Sequence, residues 1–199
     1  MTAEVVPFPH QSIPSAAQAI DGAGNVATLE RSRDERSAEL VSVASALRDA
    51  SSRILDNWAI RVSTMPLFRA IPDLTLADLR QRMPDVLDAA LLAVTSSSFA
   101  VDLMPLDDAI ARGEEHGRSR SDVASLDVVL AEFPALRREV RHQLWRVAEA
   151  IVWDSERREQ IVRDLDDRLA TVLDEIEQAA AVAWVEAYDA SRSVNVMAS

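Results

Sequence analysis

From Glu30 onward apolar residues recur at helical spacing, and the pattern divides the chain into about five amphipathic runs. Leu40, Val43, Leu47, Ile54, Leu55, Trp58 and Val62 predict one long helix. It should end near "STMP", because the residue before a proline is pushed out of the α region. "LFRAIPDLT" is then a connector, with Thr75 as N-cap and Asp78 at the third helical position. Leu79, Met83, Leu87, Ala90, Leu91 and Val94 predict a second helix over Leu76–Ser96, which Pro84 should either kink or mark the true start of. After the loop "SSSFAVDLMP", Pro105, Asp107 and Asp108 suit the first turn of a shorter helix running to Arg120.

Ser125 is the expected N-cap of the next helix, with Asp127 in its first turn. Leu126, Val129, Leu130, Phe133, Leu136, Val140, Leu144, Val147 and Ile151 carry that helix to about Trp153, with a kink expected at Pro134. "DSERRE" is a break or a solvated passage. Ile161, Leu165, Leu169, Val172, Ile176, Ala180 and Trp184 then form a last helix to about Ala190. Its partly heptad spacing suits a bundle helix facing the core; a coiled-coil seam to a second chain is the sharper reading, and a homodimer is expected. Alanine and leucine are abundant, glycine numbers only 4 residues, and no alternating β-branched run occurs. The fold class is all-α, an antiparallel helical bundle of about five helices. Residues 1–29, with Pro7, Pro9, Pro14, Gly22 and Gly24, form a flexible leader; 30–190 form the helical domain and 191–199 a tail.

Charge narrows the partners. The net charge of −12 opposes binding to phosphate backbones and anionic membranes, so neither nucleic acid nor membrane is an expected partner. No run is apolar enough to span a bilayer, and the N-terminus lacks the basic start and apolar stretch of a signal peptide, which points to the cytoplasm. All 21 basic residues are arginine, so Schiff-base and lysine general-base chemistry are excluded. With no cysteine, so are disulfides, thiolate catalysis, iron–sulfur clusters and cysteine zinc sites.

Catalytic motifs are lacking: there is no Gly-rich phosphate loop, no GxSxG and no HExxH, and an enzyme is not expected. Glu139 and His142 make one Glu-x-x-His, whereas a four-helix di-iron site needs two such motifs and two further glutamates. No metal and no cofactor are therefore expected. Two single-histidine chemistries stand as weaker alternatives. One is haem ligation by His116 or His142; the other is phosphotransfer at His116, with Arg120 one turn on and Gly117 beside it counting against a rigid phosphoacceptor.

The stretch "EEHGRSRSDVASLD" holds the most suggestive polar residues. His116 and Arg120 share a helix face, and the turn at Ser125 should bring Glu132 back towards them, with Arg137 further along the returning helix. A cluster of His116, Arg120, Glu132 and Arg137 would either pin the helical hairpin or form a polar pocket for an anion or small effector. As a sensing cluster it would include a histidine, the residue type whose charge changes near neutral pH.

"HGRSRSDVASLDVVLAEFPALRREV" resembles the second half of the N-terminal domain of RsbR/RsbRD-type co-antagonists, a domain also found in some sensor histidine kinases. The matching features are His116-Gly117, Arg118, Arg120, Ser125-Leu126, Glu132-Phe133 and Leu136-Arg137; upstream, "ILDNWAIRV" is similar to that family's first helix. The likeness spans about residues 40–190. It implies an all-α input domain for bacterial stress or two-component signalling, either a plain bundle or a globin-like one without haem. The family's domain usually precedes a STAS domain or kinase core, and here only "DASRSVNVMAS" follows Tyr188. The expectation is a stand-alone sensory module acting in trans on a kinase, STAS-type or other signalling protein, with a small-molecule effector as a possible trigger. The alternative is a non-sensing acidic adaptor that docks a basic partner through Asp164, Asp166 and Asp167.

Overall fold

The computed structural model describes residues 35–71, 75–95 and 104–197. The expected leader and the greater part of "SSSFAVDLMP" lie outside these residues. The chain divides between Ser37 and Ala38 into two units, and of the first only residues 35–37 are described. Every described regular element is a helix: α1 (35–49), α2 (Ser51–Thr64), α3 (Pro66–Arg69), α4 (Leu76–Arg80), α5 (Met83–Thr95), α6 (Met104–Arg120), α7 (Leu126–Ile151) and α8 (Ser155–Met197).

The five predicted runs survive, subdivided where local chemistry interrupts them. The first is α1 and α2, separated by Ala50 alone, whose φ of −88° and ψ of 3° leave the α region for one residue. The second is α4 and α5, because Pro84 takes up the start of a new helix at Met83. The expected connector also contains a helical turn, α3, opened by Pro66 in the position where a missing N–H is harmless. By contrast α7 runs unbroken through Pro134, which faces solvent. The break before α8 falls at Val152–Asp154. Asp154 Oδ1 accepts the Arg157 N–H at 2.8 Å as the N-cap, so α8 begins at Ser155, before Ile161, and continues past Ala190 to Met197.

Consecutive long helices run up and down. Arg141 pairs with Asp166 and Arg137 with Asp174, so α7 and α8 are antiparallel. Gly113 faces Ile176 and Gly117 faces Ala180, so α6 and α8 run in the same sense, with α7 reversed between them in the chain. The core between them is largely aliphatic: Leu47, Ile54, Leu87, Leu91, Leu136, Leu144, Ile161 and Leu165 are almost wholly buried around Trp58 and Phe133. That follows from a composition with only 5% aromatic residues.

Candidate functional site

The most extensive helix pair is α6 with α8, and two glycines make it possible. A Cβ on Gly117 would lie 2.0 Å from the Ala180 carbonyl oxygen, and one on Gly113 would lie 2.6 Å from that of Ile176. The backbones therefore approach as only residues without side chains allow. This contact fixes the rotation of α6. His116 and Arg120, one turn apart on another side of the helix, are thereby turned inward against α4 and α7.

His116 and Glu132 are 0% exposed and Arg120 is 5% exposed. His116 Nε2 meets Glu132 Oε2 at 2.5 Å. Arg120 Nη2 lies 3.1 Å from Glu132 Oε1, within ion-pair distance but off the line of a directed hydrogen bond. Its directed bonds go to α4: Nη1 donates to the Asp78 carbonyl and Nη2 to the Leu79 carbonyl, both at 3.1 Å. The Asp78 carbonyl also accepts the Gln81 N–H at 3.3 Å, so Arg120 is a second donor to it and adds a side-chain donor to the Leu79 carbonyl beside it at the end of the five-residue α4. The imidazole stands edge-on to Phe133, with ring centres 5.9 Å apart and planes at 86°. Trp58 on α2 donates its indole N–H to the backbone carbonyl of Glu132 at 3.0 Å. A single buried glutamate thus joins α2, α4, α6 and α7.

The geometry also constrains the histidine tautomer. His116 Nδ1 is buried without a hydrogen-bond partner. With the proton on Nε2, the ring donates to Glu132 and leaves only an acceptor unmet.

Three of the four residues expected to cluster do so. Arg137 does not: it lies on another face of α7 and bonds Asp174, with Glu177 at 3.5 Å, both on α8. The reason is helical phase, since five residues from Glu132 turn the side chain well away from it. Burial of Glu177 raises its carboxyl above the usual range, against the opposing pull of Arg137. At α4 the expected cap is complete. Thr75 Oγ1 accepts the Asp78 N–H at 3.2 Å and Asp78 Oδ2 accepts the Thr75 N–H at 2.9 Å. The bond from the Thr75 hydroxyl is the main cause that holds the Asp78 carboxyl below its ordinary value.

Other sequence expectations fare differently. A phosphoacceptor must reach solvent, and His116 does not. Glu139 is buried and bonded to Arg61 on α2, while His142 is exposed. Among the described residues no group of three histidine or carboxylate side chains could hold a metal ion, and no helix is long and apolar enough to cross a membrane. Grooves of about 300, 470 and 540 Å³ lie elsewhere, and the His116–Glu132–Arg120 triad lines none of the three. The Trp58 bond and the α4 carbonyls carry no local signal in the sequence. Gly113 and Gly117, four residues apart on one helix, were a signal for close helix approach. No family model, curated protein or solved structure matches the chain.

Proposed function

We propose that this chain is a sensory and regulatory input module of bacterial stress or two-component signalling. It acts in the cytoplasm and passes its state to a kinase, STAS-type or other signalling protein by rearranging its helices. The observation that carries the reading is the sealed triad. Three ionisable groups inside an aliphatic bundle are poor stabilisers, and replacing such a set with apolar residues is often neutral or favourable. Their worth lies in specifying one arrangement of α4, α6 and α7 over another, which is what a switch requires. Because the triad is closed to solvent, the trigger is a partner that shifts a helix, and a small effector would have to open the bundle first. The resemblance of the His116–Arg137 stretch to RsbR/RsbRD-type input domains supports the same role.

The Trp58 indole, bonded at the triad's own backbone, is the reporter. In ¹H–¹⁵N spectra the Glu132→Gln and His116→Phe variants should give the Trp58 indole a second or exchange-broadened signal while helicity is kept, as a bistable element demands. A single sharp signal, with nothing changed but the melting temperature, would make the triad a fixed hairpin pin. The adaptor reading would then take precedence. One observation favours that adaptor reading less: Asp166, one of the carboxylates meant to dock a partner, is already held by Arg141, with Nε to Oδ1 at 2.9 Å.

A further inference from the structure

The groove of about 470 Å³ between α2 and α7 inverts the charge of the rest of the molecule. In a chain of net charge −12, the segment "RREVRHQLWR" (137–146) carries four arginines and a histidine against one glutamate. Arg138, Arg141, His142 and Trp145 of this segment line the groove, with Asn57 and Arg61 opposite on α2. The one acid in the wall, Glu139, is turned inward and bonded by Arg61 through Nε, which leaves the Arg61 terminal nitrogens uncommitted. Arg141 is committed to Asp166. Arg138 and His142 have no carboxylate within ion-pair distance among the described residues. They stand one turn apart on the same exposed face. Trp145, a further turn along, leaves 44% of its surface exposed beside them.

We propose that this groove binds a small aromatic anion, a phosphate- or carboxylate-bearing ring compound of about nucleotide size. Arg138 and His142 hold the anionic group, with Arg61 contributing a terminal N–H; Trp145 stacks on the ring and the Asn57 amide supplies a polar edge. The parts match that chemistry. Guanidinium groups form forked bonds to phosphate and carboxylate, an exposed indole offers a flat apolar face, and the volume lies within the usual range for small-ligand sites. The site shares no side chain with the triad, so it stands or falls apart from the signalling reading.

The test is calorimetric titration of the full chain with phenyl phosphate, adenosine monophosphate, benzoate, inorganic phosphate and poly-glutamate. The side chains at issue are solvent-facing, and circular dichroism of each variant verifies the fold. The expected result is saturable binding of the ring-bearing anions. The Arg138→Ala/His142→Ala double variant should weaken it about tenfold or more, the size of one lost charge-assisted bond. Trp145→Ala should weaken the ring-bearing anions by about tenfold while leaving inorganic phosphate unchanged. Phosphate esters binding over benzoate, or the reverse, identifies which anionic group is recognised. Absence of saturable heat at millimolar ligand would overturn the proposal, as would binding indifferent to the double variant. Binding of poly-glutamate alone would overturn it too, in favour of an acidic protein surface.

Discussion

Replacing Gly117 with alanine sets two physical arguments against each other. Helix propensity favours the change, because alanine in a helix interior is better than glycine by about 1 kcal/mol. Packing opposes it. The new Cβ would lie 2.0 Å from the Ala180 carbonyl oxygen, 2.7 Å from its carbon and 2.9 Å from its Cα, all backbone atoms of α8 that no rotamer change can move. Reaching ordinary contact at 3.4 Å means a local separation of about 1.4 Å. A gap of even 0.5–1 Å forfeits roughly a quarter to a half of a dispersion contact, and the parting would run along the most extensive helix pair in the fold. Overpacking of this kind costs about 3 kcal/mol, at the upper end of its usual range because backbone must yield. The net is a loss of about 2 kcal/mol, or a fall in Tm of about 4–8 °C for a domain of this size. Scanning calorimetry or a urea midpoint measures it, and Gly113→Ala should fall less because its nearest clash is 2.6 Å. A Gly117→Ala protein that melts at or above the parent temperature would refute the close-approach argument and with it the account of why α6 faces inward.

Other expectations concern the charges. Glu132→Ala strands buried Arg120 beside His116 and should cost about 3–5 kcal/mol in urea unfolding, whereas Glu132→Gln should cost less. Arg137→Ala, which breaks a half-exposed pair, should cost under about 1 kcal/mol and leave the Trp58 indole signal in place; a moved signal would return Arg137 to the cluster. The lowered Asp78 carboxyl contributes stability that is present above its ordinary value of 3.8 and lost as pH falls below it. Asp78→Asn should flatten that part of a Tm–pH profile, and an unchanged slope would contradict the assignment. Glu177 has the opposite sign. Its raised carboxyl favours the folded state as pH falls towards its ordinary value of 4.5, and Glu177→Gln should remove that gain.

The helical pattern made most of the fold legible, because burial follows periodicity: Val43, Leu47, Ile54 and Trp58 occupy the core positions their spacing predicts. Boundaries were less legible. Ala50 interrupts a helix with a residue that favours helices, for no reason its neighbours reveal. The Asp154 cap, by contrast, follows the rule that was applied at Thr75 and could have been found. At the site, His116, Arg120 and Glu132 were legible because the short turn before Leu126 brings the start of α7 back against the end of α6. Arg137 was misplaced because proximity in sequence was weighed above helical phase. The bonds from Arg120 to the Asp78 and Leu79 carbonyls span 41–42 residues and depend on backbone groups every residue possesses, so no pattern of side chains announces them.

The two glycine contacts also have a mechanical consequence. They are spaced four residues apart on α6 and four on α8, about 6 Å along each axis. Such an interface behaves like two meshed teeth: sliding by a fraction of a turn would drive the side chains beside each notch into the opposing backbone. Sliding therefore has no small increments, and α6 and α8 move as one rigid lever or disengage altogether. The short α4 meets that lever through Arg120, whereas α7 is tied to it twice, by the triad at its start and by the Arg137 and Arg141 pairs with α8 further along.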